Sequence, residues 1–180
     1  MDIELVNYED TKLLRVTNVL PDGHFNTIHK IKMKDLLNSG FNVTDKTPIE
    51  SSGLYYFLFL NIKKAFLSLG IENITPTGMT VSKNRGGVHW HKHKSEYKHD
   101  PEEMITEKFW VAVYYIHSEL DEDGKYVDLR LSKTETGPGN FYQCVPNSCV
   151  IHNRMIGHGT DAINLPDTER VAFYSHWIEG

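Results

Sequence analysis

The chain has 180 residues, 39% of them hydrophobic and 24% charged, with a formal net charge of −5. That length fits a single domain with a core large enough to stand without covalent staples. The acidic balance argues against a protein that coats nucleic acid, whose footprint is basic. Cys144 and Cys149, the two cysteines, lie too near in sequence to close a useful loop. They point away from a disulfide scaffold and toward a reducing compartment, and with no second pair they make a poor zinc site. The N-terminal MDIELVNYED is acidic and lacks the basic and apolar regions of a secretory signal. The longest apolar stretch, Leu54 to Leu60, is far short of a membrane span. A cytoplasmic protein is expected.

Taken in chain order, KLLRVTNVL at 12–20 predicts a first strand and PDGH at 21–24 a turn. Residues 30–38 predict a short helix stopped by Ser39-Gly40, and DKTP at 45–48 a loop. The strongest helix signal runs from Ser52 to Leu69. There Leu54, Phe57, Leu58, Ile62, Ala65, Phe66 and Leu69 recur at three and four residues, and Gly70 follows as a C-terminal cap. Beyond Gly70 the period changes. Strands are predicted at 79–82, 88–93, 109–117, 126–131, 140–145, 150–151 and 171–177, with NRGG, DEDGK, TGPGN and LPDTE supplying turns. Helices first and then short strands predict an α+β domain, a β-sandwich or small barrel with helices over one face. The division expected is a cover at 1–70 and a β core at about 71–180, in a single domain over 1–180. The polar stretch 94–107 reads as an insertion between strands.

The chemistry concentrates in GGVHWHKHKSE, residues 86–96. His89, His91 and His93 alternate there, so on a strand they share one face. Two imidazoles spaced this way can hold one metal ion if a distant residue supplies more. The bland alternative is a solvated histidine-lysine edge. Three features favour the metal: Gly86-Gly87 permits a sharp bend just before the cluster, the apolar FWVAVYYIH follows it, and His152 and His158 come later. Arg170 then sits inside a run of Val, Ala, Phe and Tyr. It is either an edge arginine whose stem covers apolar surface or a fork for a carboxylate. Tyr114, Tyr115, Phe141 and Tyr142 are expected to fill the core, with stacking on a base as the alternative.

Residues 62–177 resemble the iron(II)- and 2-oxoglutarate-dependent oxygenases, in particular the small phage and bacterial branch related to prolyl hydroxylases. GIENITPTGMTVSKNRGGVHWHKH looks like the family's helix end, strand, glycine turn and W-H-x-D entry. VAVYYI looks like the strand that follows, and GPGNFYQCVP like the segment before the distal histidine. The resemblance implies a double-stranded β-helix, or jelly roll. It implies iron(II) held by His91, His93 and His158, with 2-oxoglutarate as cosubstrate anchored by Arg170, twelve residues beyond His158. The implied reaction is hydroxylation of a peptide side chain, a nucleobase or a small metabolite, coupled to decarboxylation of 2-oxoglutarate to succinate. Two positions depart from the pattern. His93 stands where the family has a carboxylate, so the two-His-one-carboxylate triad is not met literally. Ala172 stands where Arg-x-Ser would have a hydroxyl. His152 for His158, and His89 with His91 for His91 with His93, are the alternative ligand choices.

A cupin is the second resemblance. His89-x-His91 followed by Glu96 looks like its first motif, and Gly139, Pro146 and His152 loosely like its second. That reading requires Glu96 at the metal and makes no use of Arg170. A jelly-roll binding or structural protein without catalysis is the third reading. Zinc hydrolysis fits less well, because Glu96 is the one candidate general base.

Overall fold

A computed structural model describes residues 1–8, 11–36, 43–46, 53–92, 108–160 and 168–180. The chain opens with a hairpin, β1 (Asp2–Tyr8) and β2 (Thr11–Thr17), followed by α1 (Asp22–Leu36), β3 (Val43–Lys46) and α2 (Gly53–Leu67). Then come β4 (Ile74–Arg85), β5 (Phe109–Ser118), β6 (Asp128–Ser132), β7 (Asn140–Gln143), β8 (Ser148–Asn153), β9 (Gly157–Gly159) and β10 (Glu169–Glu179). Seven strands form one antiparallel sheet in the order β1-β2-β8-β5-β10-β4-β3, and three form a second in the order β7-β6-β9. Residues 88–91 extend the smaller sheet. His91 and His158 exchange backbone hydrogen bonds of 2.9 Å, and the Thr160 N–H donates to the Val88 carbonyl at 2.9 Å. From β4 onward the chain therefore passes back and forth between two facing sheets, which is the double-stranded β-helix or jelly roll.

β5 explains why the large sheet forms. FWVAVYYIHS is apolar almost throughout because both its faces are covered. Ala112, Tyr114 and Ile116 face a cluster shared with Leu58, Ile62 and Phe66 of α2 and Ile28 of α1. Val111, Val113 and Tyr115 face the barrel interior with Val150, Leu131 and Ala172. β10 alternates in the same way, with Val171, Phe173 and Trp177 toward the helices and Ala172 and Tyr174 inward. Each large apolar side chain buried in these clusters stabilises the fold by roughly 1.5–3 kcal/mol. Cys149 lies in the helix-side cluster and Cys144 in the interior one, and both are free thiols.

Several expectations need correction. The first strand ends at Thr17, because Asn18 takes a left-handed φ of 51° and turns the chain. Another strand, β1, precedes it, so the N-terminal segment lengthens the large sheet as well as covering it. α1 begins at Asp22, inside the predicted turn, and β3 overlaps the predicted 45–48 loop. In α2 the buried stripe includes Tyr55 with Leu58, Ile62, Ala65 and Phe66, while Phe57 is exposed and lies against the His24 ring at 4.6 Å. The 79–82 strand reaches from Ile74 to Arg85. Of the 88–93 strand, the described residues 88–92 make one bridge, at His91, and β9 lies outside every predicted strand. Gly70, at φ 79°, caps α2 as expected. His93, Glu96 and the 94–107 insertion lie outside the described residues.

Candidate functional site

The site begins where β4 ends. Gly86 adopts φ 68°, a conformation other residues rarely take, and turns the chain across to the small sheet. The turn is then pinned. The Val88 N–H donates to Thr160 Oγ1 at 2.6 Å, and Trp90 Nε1 donates to Ser132 Oγ at 2.8 Å. The Trp90 indole lies over Gly157, where a Cβ would sit 2.2 Å from the ring. A Cβ on Gly159 would sit 2.7 Å from the Trp90 backbone. The glycines of GHG thus let residues 88–91 lie directly on β9, and this brings the His91 ring to 4.6 Å from the His158 ring.

His158 is 1% exposed. Its ring is stacked on Tyr174 at 6.1 Å and stands edge-on to His152 at 5.1 Å. His91 is exposed, and its Nδ1 is 2.9 Å from the His89 carbonyl, so Nδ1 donates there and Nε2 carries the lone pair. His89 is exposed and meets His91 through its backbone carbonyl. His152 is wholly buried on β8 with Nδ1 2.9 Å from the Asn153 carbonyl. Burial lowers its pKa to about 4, so it is neutral across the physiological range.

Arg170 opens β10, in register with the buried Asn84 on β4. It is 3% exposed; Nη2 donates to the Gly86 carbonyl, and Nη1 is buried with no partner among the described residues. The neighbouring acid, Glu169, pairs instead with Lys83 at 3.5 Å. A narrow recess of about 10 Å³ joins Arg170 to Asn84, Tyr115, His158, Thr160 and Tyr174. Burial raises the Tyr115 hydroxyl well above its ordinary pKa and the Tyr174 hydroxyl to about 12, so both stay protonated. The recess therefore offers an unpaired guanidinium N–H and the Tyr174 phenol, beside an imidazole, while the Tyr115 hydroxyl is engaged with Cys144. A buried cation of this kind is costly unless an anion meets it. The chemistry of the place is that of a carboxylate site next to a nitrogen-ligand site.

No protein-family model and no curated protein sequence matches the chain. Solved structures do match it. One is a viral collagen prolyl hydroxylase from Paramecium Bursaria Chlorella virus-1 in its 2-oxoglutarate complex, with TM-score 0.65 and 7% identity over 93% of this chain and 96% of that one. A second is HygX from Streptomyces hygroscopicus with nickel and 2-oxoglutarate bound, with TM-score 0.66 and 12% identity over 94% and 83%. A third is a Trichoplax adhaerens prolyl hydroxylase in complex with a hypoxia inducible factor peptide, with TM-score 0.65 and 14% identity over 93% and 83%. The chain has the fold of these 2-oxoglutarate oxygenases.

Of the residues singled out from the sequence, His91 and His158 meet, and Arg170 shares its recess with His158. Tyr114, Tyr115 and Tyr142 are buried, whereas Phe141 is 54% exposed and outside the core. Sequence reasoning missed Trp90, Gly157, Gly159, Asn84 and Tyr174. A signal existed for the glycines, since a histidine between two glycines marks a strand that another backbone approaches closely. Nothing local marks Asn84 or Tyr174, which matter only through the register of β4 with β10 and the stacking on His158. No described helix is long and apolar enough to cross a membrane.

Proposed function

We propose that this protein is a non-haem iron(II)- and 2-oxoglutarate-dependent oxygenase that hydroxylates its substrate. His91 and His158 are two metal ligands in this reading, His93 is the sequence's candidate for a third, and Arg170 anchors the cosubstrate. The observation that carries it is the unpartnered Nη1 of buried Arg170 in the recess that also holds His158, against which His91 packs. Imidazole nitrogens suit iron(II) among other divalent metals, so the donor set fits. The bound metal would supply dioxygen activation, coupled to decarboxylation of 2-oxoglutarate to succinate.

The chain's own residues do the rest. Arg170 binds the distal carboxylate with its fork, in a pocket dry enough to strengthen the pair. Tyr115, its hydroxyl engaged with Cys144, and Tyr174 line the same recess and limit water within it. Trp90, anchored on Ser132 and seated on Gly157, holds the His91 backbone beside His158, so two donors lie close together. His158 and Arg170 are buried while His91 is exposed. The substrate therefore approaches from the His91 side, opposite the cosubstrate.

The test is an anaerobic titration of the metal-free protein with Fe(II) and then 2-oxoglutarate, following the weak visible charge-transfer band of the chelate. The band is expected in the wild type, and Arg170→Ala should need far more cosubstrate. Fe(II) binding with no response to 2-oxoglutarate would sink the reading, as would unchanged cosubstrate affinity in the Arg170 variant.

A further inference from the structure

We propose that His152 is a protein ligand of the metal, supplying the donor that the chain lacks as a carboxylate at residue 93. The inference rests on the metal-site reading above and assigns it a ligand from a different strand. Strand alternation places His152 on the inner face of β8 with Val150, while Cys149 and Ile151 face the helices. The turn after β8 then carries the chain to the opposite sheet within residues 153–156. Asn153 holds that turn, accepting from the Met155 N–H through Oδ1 at 2.9 Å and from the Ile156 N–H through its carbonyl at 3.1 Å. His152 and His158 consequently face each other, with rings 5.1 Å apart and inclined at 72°.

The protonation pattern completes the argument. The Asn153 carbonyl accepts from His152 Nδ1, so Nδ1 carries the proton and Nε2 presents its lone pair. That Nε2 is buried and has no partner among the described residues. Buried polar atoms in folded proteins are nearly always satisfied, and an orphan points to an ion or group that belongs there. A ring nitrogen fixed by a backbone carbonyl, with the other nitrogen bare, is the arrangement metal-bound histidines adopt. His91 shows the same support from the His89 carbonyl. Among the described residues no three His, Cys, Asp or Glu side chains are gathered closely enough to cage an ion as they stand. The set closes on loading, with the exposed His91 as the member that has room to turn.

The test uses the full chain and Co(II) alone as probe, reading affinity and the visible absorption band, with apo-protein unfolding followed in parallel. His152→Asn keeps a donor near Nδ1 and removes the Nε2 position; His152→Gln places a donor atom near Nε2. Loss of a ligand should weaken Co(II) by more than about 100-fold, beyond the roughly 10–100-fold that losing an outer-shell support costs. The band should change, and the Gln variant should recover part of the affinity. Wild-type affinity and band in a folded His152→Asn protein would overturn the assignment while leaving the oxygenase reading standing. His93→Ala abolishing binding while His152→Asn and His152→Gln both bind normally would overturn it as well. A wild-type protein that binds no Co(II) would end both. If the Asn variant does not fold, the Gln variant decides: a folded protein with an unaltered band rejects the ligand, and an altered band with reduced affinity supports it.

Discussion

The two sheets of the barrel are held together differently. The large sheet rests on long strands with apolar side chains on both faces. β5 and β10 pair along most of their length, and Phe173 meets Tyr55 at 5.2 Å and Tyr114 at 6.1 Å. The small sheet has strands of three to five residues, and β9 is Gly-His-Gly. Its hold on residues 88–91 depends on one indole lying over a glycine and on a few backbone hydrogen bonds. The large sheet carries the helix-side cluster and most of the interior one, while the small sheet adds Leu129, Leu131 and Tyr142 to the interior and positions His91 and His158. Residues 88–91 and β9 themselves are held by glycine contacts and hydrogen bonds, which separates the expected effects of mutation.

The largest effect on stability belongs to the large sheet. Phe173→Ala removes a side chain that is 1% exposed and should cost about 3–5 kcal/mol, measured by urea unfolding of the apo-protein. Metal affinity of the fraction that remains folded should stay within a few-fold of wild type. A site that collapsed together with the core would break the proposed separation.

Next comes the buried cation, Arg170. Arg170→Met should leave stability unchanged or raise it, because an isosteric apolar side chain replaces a guanidinium with an unpartnered N–H. Binding of 2-oxoglutarate to the metal-loaded protein should weaken by about 2–5 kcal/mol, the range for truncating one partner of a buried charge pair. Calorimetric titration measures it. Marked destabilisation without any change in cosubstrate affinity would make Arg170 a structural residue.

The small sheet predicts the reverse pattern to Phe173. Gly159→Ala drives a methyl against the Trp90 backbone, which has no rotamer to yield, and should cost about 1–3 kcal/mol while weakening metal binding at least tenfold. Gly157→Ala meets the Trp90 ring instead, which can swing away. Its stability cost should be smaller, and the loss of the Trp90–Ser132 hydrogen bond should appear as a shift in tryptophan fluorescence. Equal effects from the two glycines would show that Trp90 is not what seats residues 88–91.

The same contrast explains what the sequence disclosed. The strands of the large sheet were readable because apolar residues run through β5 and alternate in β10, and a period of two is a local property. α2 was readable from its three-four spacing: Leu58, Ile62, Ala65 and Phe66 are buried as expected, and Phe57 is the exception, exposed while Tyr55 takes the buried place against Phe173. β9 was illegible as a strand. Two of its three residues are glycine, and what makes it a strand is pairing with β6 and the bridge to His91, both distant in sequence. The pair His91 and His158 and the companion Arg170 were visible as residue types at suggestive spacings. The spacing offers His152 only in place of His158. Its place facing His158 depends on the Asn153 turn, which no spacing rule reveals.

The smallest effect concerns the helical cover. His29 on α1 and His117 on β5 stand with Nε2 and Nδ1 3.3 Å apart, one donating to the other. Burial first and the neighbouring His117 second lower the pKa of His29. The unfolded chain therefore takes up that proton before the folded one does. The stabilisation is complete above the unfolded value of about 6.5 and is lost as pH falls from there through the lowered folded value. The urea midpoint of the apo-protein should thus decline between neutral pH and pH 5 more steeply than that of His29→Gln, by a small margin because the pair is half-exposed and screened. Since α1 packs on the helix side of the large sheet, away from the interior cluster, metal affinity at neutral pH should be the same in both proteins. A His29→Gln variant with altered metal affinity would mean that the helical cover and the barrel interior are coupled, and the clean partition between scaffold and site would have to be given up.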